Sequence, residues 1–289
     1  MKAGMIGLGA MGIGMARNIA KAGFLAAIYN RTMEKAETLA KELNVAVFDR
    51  IEALAAEVDV VLLCVSADGD VLAVVEAITQ TAKPGSIVVD MSTVSSDTAR
   101  HAAAILAEKR VEFLDAPVSG GVEGAKNGTL AMMVGGDVEA LQKVRPILQA
   151  MSARIIHMGA TGSGQAAKAV NQVMCAGINQ AVTEALAFAQ AQQLPMEKLI
   201  DAVSGGAAGN WFLQHRGNTM TNNKFAPGFK LALHHKDLKI CQAMADKAEI
   251  PLPLTDMTVG DYERLIAAGY GDEDISALYR LKKQLFDNI

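Results

Sequence analysis

The apolar run Ala3-Gly4-Met5-Ile6 breaks into Gly7-Leu8-Gly9-Ala10-Met11-Gly12, a Gly-x-Gly-x-x-Gly turn that constrains the fold more than any other stretch. Gly7 allows a tight turn, Gly9 lets the backbone approach a diphosphate without a Cβ in the way, and Gly12 lets the next helix lie close on the strand. Met11, Met15 and Ile19 then recur at fourfold spacing up to Gly23. A strand, a glycine turn and a helix in that order are the context in which the motif holds a dinucleotide, rather than being a fortuitous glycine-rich turn. Gly7, Leu8, Gly9, Ala10, Met11 and Gly12 are therefore the first candidate cofactor-binding residues.

A second strand over 24–29 ends at Asn30-Arg31-Thr32. Parallel βαβ units that bind NAD carry an acidic residue about 20 residues beyond the glycines, where it accepts from the ribose 2′-hydroxyl. Here an arginine can fork onto a 2′-phosphate and a threonine hydroxyl can donate to it. Asn30, Arg31 and Thr32 thus predict NADP(H) in preference to NAD(H); the plainer alternative makes Arg31 a solvated residue at a helix start. Strand and helix keep alternating: helix 33–43, strand 45–48, a helix near Ile51, and an apolar strand 58–65 of the kind found in the middle of a parallel sheet. Val65 and Ser66 end that strand at the carboxyl edge, where ligands bind in open α/β sheets. After a helix over 71–78, the strand 86–91 ends at Ser92-Thr93. Thr93 is a candidate cofactor contact there, although a Ser-Thr pair also suits the cap of the next helix, which Ser95 could start.

A helix over 96–109 and a strand over 111–115 lead to Pro117-Val118-Ser119-Gly120-Gly121. Ser119, Gly120 and Gly121 offer a hydroxyl and uncovered peptide N–H groups suited to a carboxylate, or else form a plain loop. Strands over 129–134 and 155–158 flank a helix over 137–151. From Gly162 the strands stop. Residues 165–193 form one helical pattern about 44 Å long at 1.5 Å per residue, expected to join two lobes and to pack on a second subunit. Helices follow over 196–204, 211–220, 231–248, 255–268 and 276–286. The fold class is α/β: an N-terminal Rossmann dinucleotide-binding domain (1–161) followed by an all-α substrate and dimerisation domain (162–289), joined by the long helix. A chain of 289 residues with 51% hydrophobic content has the length and core for two domains.

A net charge of −4 without a basic patch speaks against a nucleic-acid partner. Cys64, Cys175 and Cys241 are too scattered for a disulfide framework, which predicts a reducing cytoplasm. The apolar N-terminus reads as strand and helix rather than a signal peptide, and the apolar stretch 173–191 is broken by Asn179, Gln180 and Glu184, so no membrane partner is expected. His101, His157, His215, His234 and His235 lack a compact ligand spacing, and no metal is expected. Trp211 and Phe212 could line a substrate cleft or pack between helices. Lys168 shares a helix face with Asn171 and Gln172. Such a lysine could give a proton to the alkoxide left by hydride transfer, although taken alone it reads more often as a surface residue than as a catalyst.

Gly7-x-Gly9-x-x-Gly12, Asp115-Ala116-Pro117-Val118-Ser119-Gly120-Gly121 and Gly162-x-Gly164-x-x-x-Lys168-x-x-Asn171 stand in the order seen in the β-hydroxyacid dehydrogenase family, which the sequence resembles. Phe225-x-Pro227-Gly228-Phe229 and His235-Lys236-Asp237-Leu238 extend the resemblance over essentially the whole chain. It implies that Lys168 is the general acid of reduction and the general base of alcohol oxidation. Ser119, Gly120 and Gly121 would hold the substrate carboxylate, Asn171 would orient substrate or lysine, and Val65 and Thr93 would touch the cofactor. Lys236 would close over cofactor and substrate from the far lobe, supported by Asp237. Many members carry Asn where this chain has Gln172. The Asn171-Gln172 pair resembles tartronate semialdehyde reductases, whereas Asn30-Arg31-Thr32 resembles NADPH-using glyoxylate and succinic semialdehyde reductases. The implied substrate is a small carboxylate-bearing aldehyde or its hydroxyacid, of the tartronate or methylmalonate semialdehyde type, with glyoxylate or succinic semialdehyde as the alternative. The implied assembly is a homodimer or homotetramer. A lysine with the ordinary pKa of about 10.4 is an acid at neutral pH, so reduction is the expected direction there. Imine reductases share this architecture but typically lack the lysine. A non-catalytic NADPH-binding module is disfavoured by the missing extra domain or basic arm, and a 6-phosphogluconate dehydrogenase by length.

Overall fold

A computed structural model describes residues 1–285; Phe286, at the end of the last expected helix, lies outside them. The chain divides into two compact units, Met1–Lys168 and the residues from Ala169 onward.

In the first unit, strands and helices alternate through β1 (Ala3–Ile6), α1 (Ala10–Lys21), β2 (Leu25–Tyr29), α2 (Met33–Leu43), β3 (Ala46–Val47), α3 (Ile51–Glu57), β4 (Val60–Leu63), α4 (Asp68–Ile78), β5 (Ile87–Asp90), α5 (Ser96–Ala107) and β6 (Glu112–Asp115). These strands pair in parallel in the order β3-β2-β1-β4-β5-β6. The chain runs outward from β1 to β3, returns to lay β4 on the other edge of β1, and runs outward again to β6. That reversal opens a crevice at the carboxyl ends of β1 and β4. The sheet continues through β7 (Val118–Ser119), α6 (Gly121–Asn127), β8 (Leu130–Gly136), α7 (Val138–Gln149) and β9 (Ser152–Gly159), with β8 antiparallel to β6 and β7 and parallel to β9.

Period-two alternation divides the central strands between two cores. Val60, Leu62, Ile87 and Val89 pack with Met15, Ile19, Leu39, Leu141 and Val144 from α1, α2 and α7. Val61, Leu63 and Val88 pack with Leu54, Val71, Val75, Ala102 and Leu106 from α3, α4 and α5. Burial on both faces is why these strands read as unbroken apolar runs. Helix α4 starts three residues before the apolar pattern that marks it, because Asp68 and Asp70 suit the positive end of a helix. Asp68 Oδ1 also accepts from the Ser95 N–H at 3.0 Å and the Thr98 hydroxyl at 2.6 Å.

Helix α6 occupies a stretch where the sequence offers only a glycine loop. Long-range docking on α1 supports it: Asn18 Nδ2 donates to the carbonyls of Ala125 (2.7 Å) and Lys126 (3.2 Å). A Cβ on Gly14 would lie 2.9 Å from the Ala125 carbonyl carbon, so α1 needs glycine there.

Helix α8 (Ser163–Ala191) has 29 residues, and the first unit ends within it. In the second unit its Ala176, Val182, Leu186 and Ala187 share a core with α9 (Met196–Ser204), α10 (Trp211–Thr221), α11 (Leu231–Lys247), α12 (Pro253–Ala267) and the 3-10 turn Ile275–Leu278 that precedes α13 (Tyr279–Gln284). Phe212 is in that core, whereas Trp211 is exposed and stacks on His215 with ring centroids 4.2 Å apart. Asp274 accepts from the N–H groups of Gly228 (2.9 Å) and Phe229 (3.1 Å) and pairs with Arg216 at 3.3 Å. The Gly228-Phe229 segment thus packs against the Arg216–Asp274 pair, with the guanidinium beside Gly228. Val170, Met174 and Ile178 recur every fourth residue on the exposed side of α8. Among the described residues, no helix is long and apolar enough to cross a membrane.

Candidate active site

The three loop glycines have separate physical duties. Gly7 adopts φ +94°, and a Cβ on it would come under 3.0 Å from the Cys64 carbonyl at the end of β4. A Cβ on Gly12 would likewise collide with the Gly7 carbonyl, so the third glycine clears the loop itself and not only the strand. Nothing lies within 4 Å of a Cβ built on Gly9, leaving open space beside the start of α1. That helix has no acidic residue in its first turn and no side-chain cap at Gly9, which leaves its positive end to an anion. The cradle fits a dinucleotide diphosphate. Asn30 Oδ1 accepts from the Leu8 N–H at 2.9 Å and its Nδ2 donates to the Thr32 carbonyl at 3.0 Å, so this residue ties the end of β2 to the glycine loop. Arg31 projects from there with its side chain 89% exposed, 3.6 Å from Asp70. Thr32 occupies the N-cap position of α2 without a side-chain cap bond.

Two strand ends along, the Val65 N–H donates to Ser92 Oγ at 2.9 Å, with Ser66 exposed beside it. Ser95 caps α5 by accepting from the Thr98 N–H, and Thr93 is half-buried between Ser92 and Val94. Asp90 and Asp115 face each other in register on β5 and β6, both fully buried. Asp115 accepts from the N–H groups of Gly162 (2.8 Å) and Gln165 (2.9 Å), which seats the first turn of α8 on the carboxyl end of β6. A Cβ on Gly164 would collide with the carbonyls of Met133 and Asp115, so the second glycine of Gly162-x-Gly164 permits this seating. Burial raises the Asp115 carboxyl above its ordinary value despite those N–H donors. Lys168 follows one turn later and is buried, at 7% exposure. Ser119 and Gly121 are half-buried and Gly120 exposed; the two glycines take φ of +130° and +62°, values that favour glycine.

Burial pushes the Asp90 carboxyl up to about 7, and Asp115 and Asp68 add to the shift against the hydrogen bonds from Ser92. Among the described residues, no partner reaches its Oδ2. The folded protein therefore holds this proton more tightly than the unfolded chain, so stability falls as pH rises from the ordinary carboxyl value near 4 to about 7, then levels off. Asp90→Asn lacks that titration. Its stability relative to the parent should grow across the same window, by an amount on the order of 4 kcal/mol at full effect. Urea unfolding of both proteins at pH 5 and pH 8 checks this, and an unchanged gap would refute it.

In the second unit, Gln172 Nε2 donates to Asp237 Oδ2 at 2.7 Å, Lys236 pairs with Asp237 Oδ1 at 3.0 Å, and Asn171 Nδ2 donates to Gln172 Oε1 at 2.7 Å. The structure thus joins Asn171, Asp237 and Lys236 through Gln172, a residue for which the sequence reading proposed no contact of its own. A buried chain continues from it: His234 contacts the Gln172 carbonyl (3.3 Å) and the Tyr262 hydroxyl (3.0 Å), which accepts from Asn179 (2.9 Å). A carbonyl can only accept, so the histidine nitrogen facing Gln172 is the donor of that contact. Gln165 and Asp90 escaped the sequence reading, which met Ser92 only in a Ser-Thr pair at a strand end and His234 only among histidines without a ligand spacing. The one local signal for Gln165 is a polar side chain in an alanine-rich first turn.

A parallel sheet with a glycine loop at its topological switch, and polar side chains gathered at the adjoining strand ends, defines a dinucleotide-binding protein of the Rossmann class. Residues 2–159 match the family described as the NAD binding domain of 6-phosphogluconate dehydrogenase, and residues 162–282 the family described as NAD-binding of NADP-dependent 3-hydroxyisobutyrate dehydrogenase. A probable 3-hydroxyisobutyrate dehydrogenase of Mycobacterium tuberculosis is 35% identical over 94% of this chain and 95% of its own. An NAD-dependent L-serine dehydrogenase of Pseudomonas aeruginosa is 33% identical over 96% of each chain. The solved structure of Mycobacterium tuberculosis 3-hydroxyisobutyrate dehydrogenase with L-serine superposes with a TM-score of 0.88 at 33% identity, covering 97% of this chain and 98% of that one. The chain belongs to the β-hydroxyacid dehydrogenase family, whose members are oxidoreductases acting on CH–OH groups.

Proposed function

We propose that this enzyme interconverts a small β-hydroxyacid and its semialdehyde with NADP(H) in preference to NAD(H), and that Lys168 moves the proton. The observation that carries the reading is the seating of α8: Asp115 fixes its first turn on the carboxyl end of β6, which sets the buried Lys168 one turn further along. Gly7 to Gly12 would hold the diphosphate, Arg31 and Thr32 the 2′-phosphate, and Val65, Ser66 and Thr93 would border the nicotinamide. When bound, the nicotinamide supplies or takes the hydride. In reduction Lys168 gives its proton to the carbonyl oxygen as the alcohol forms; in oxidation it takes the hydroxyl proton. The Ser119 hydroxyl and the N–H groups of Gly120 and Gly121 would hold the carboxylate, with Asn171, Lys236 and Asp237 as further polar contacts to substrate and Lys236 also to cofactor.

The names of the two relatives support a substrate class. 3-Hydroxyisobutyrate and L-serine are both carboxylates whose hydroxyl sits on a terminal carbon next to the α-carbon. Methylmalonate and tartronate semialdehydes are aldehydes of that pattern, and glyoxylate and succinic semialdehyde, one shorter and one longer, are the alternative. The exposed fourfold stripe Val170, Met174 and Ile178 supports a homo-oligomer, and three cysteines outside disulfides fit a cytoplasmic protein.

Initial rates with all four aldehydes, and with 3-hydroxyisobutyrate and L-serine in reverse, each with both cofactors, test this reading. The fastest substrate should be a three- or four-carbon β-oxo or β-hydroxy acid used with the phosphorylated cofactor. Arg31→Asp should lower the NADPH-to-NADH ratio of kcat/KM by about 10- to 100-fold, the loss of one charge-assisted contact plus a new repulsion. An unchanged ratio would mean that Arg31 does not read the 2′-phosphate.

A further inference from the structure

The side-chain amide of Gln165 brackets a single residue. Its Nε2 donates to the Ser92 carbonyl at 2.9 Å and its Oε1 accepts from the Val94 N–H at 3.2 Å, the peptide groups on either side of Thr93. Its own N–H donates to Asp115 Oδ2. Gln165 is 1% exposed, and Ser92 and Val94 are as deeply buried, so both peptide groups depend on this amide for a partner. Ser92 passes the constraint on, because its hydroxyl accepts from the Val65 N–H while its N–H is held by Asp90 Oδ1 at 2.9 Å. Ser96 adds a stitch from α5 to the Gly162 carbonyl at 2.9 Å. One side chain thus governs the segment carrying Thr93, and through Ser92 the end of β4, from a position three residues before Lys168 on the same helix. Residues three apart are neighbours on a helix surface.

We propose that Gln165 is a positioning residue for hydride and proton transfer: its amide holds Thr93, and with it Val65, in fixed register with Lys168. The proposal rests on the reading of Thr93 and Val65 as cofactor neighbours and Lys168 as the proton carrier. Leucine at this position fills a similar volume with neither hydrogen bond. A carboxylate cannot donate to the Ser92 carbonyl, whereas a protonated carboxyl can donate there and still accept from Val94, which reproduces the amide.

The experiment measures kcat on the best aldehyde, NADPH affinity by cofactor fluorescence, and folded fraction by circular dichroism for wild type, Gln165→Leu, Gln165→Glu and Lys168→Ala. For Gln165→Leu, kcat per folded molecule should fall by about tenfold or more while NADPH affinity changes by less than about threefold, since a small misplacement penalises transfer more than diphosphate-anchored binding. For Gln165→Glu, kcat should acquire an ionisation absent from wild type and recover toward the wild-type value as pH falls through it. The charged groups nearest the new carboxyl are Asp115, which accepts from the residue's own N–H, Asp90, one link away through Ser92, Arg100 beside Gly162, and Lys168 three residues on. Burial and the neighbouring carboxylates bring its titration toward neutral pH.

Unchanged kcat per folded molecule in Gln165→Leu, together with no new ionisation in Gln165→Glu, overturns the proposal. Should Gln165→Leu fail to fold, the pH profile of Gln165→Glu decides alone. Full turnover by Lys168→Ala would instead bring down the reading on which the proposal rests, so the two failures are distinguishable.

Discussion

Lys168→Ala is expected to lower kcat by about 10²- to 10⁴-fold, the range spanned by a positioned acid or base, with NADPH affinity nearly unchanged. The lysine is not among the residues that shape the glycine loop, so truncating it leaves that cradle intact. It is buried one turn beyond a helix start fixed by Asp115, on a helix whose seating requires glycine at 164. Loss of a transition-state proton transfer should lower kcat and kcat/KM together, whereas loss of a mere ground-state contact would raise KM alone. Lys168→Arg keeps the charge on a guanidinium that does not give up its proton at working pH, so it should be nearly as slow as the alanine variant. A small primary ammonium ion added to Lys168→Ala should restore part of the rate by entering the vacated space. Stopped-flow transfer rates and equilibrium titration separate these effects; turnover within a few-fold of wild type would remove Lys168 from the chemistry.

Local patterns carried far along this chain and failed at identifiable places. Helices α2 and α9 fall on 33–43 and 196–204, the limits set by fourfold apolar spacing between polar breaks. The β-branched runs at β4 and β5 announced central strands because both faces are buried. Helix α6 gave no such notice: it is seven residues long, contains two glycines, and is held by Gly14 and Asn18 more than a hundred residues away. The glycine loop was legible because its chemistry is local. The contacts of Gln165 and Asp115 were not, because hydrogen bonds between groups 47 to 73 residues apart leave no local trace in the sequence. Gln172 shows the same limit, since only folding places its amide on Asp237, 65 residues on.

Gly12→Ala should destabilise the first unit by on the order of 3 kcal/mol or more, because the added methyl meets backbone and nothing flexible can yield. The Gly7 carbonyl it strikes is itself pinned, since the Gly7 N–H donates to the Tyr29 carbonyl at 3.1 Å and a positive φ fixes the turn. Relief would require α1 to lift from the loop, and α1 carries Met15 and Ile19 of one sheet core together with the Asn18 bonds to α6. Gly9→Ala provides the contrast within the same loop. Its methyl points into open space, so the urea midpoint should stay within error of wild type while NADPH binding weakens by about tenfold or more, as the diphosphate is pushed from the first-turn N–H groups of α1. The two variants differ by three residues and one methyl direction, yet one should lose the fold and the other the ligand. If Gly9→Ala bound NADPH with wild-type affinity, the space beside Gly9 would not be where the diphosphate sits, and the placement of the nicotinamide near Thr93 would lose its anchor.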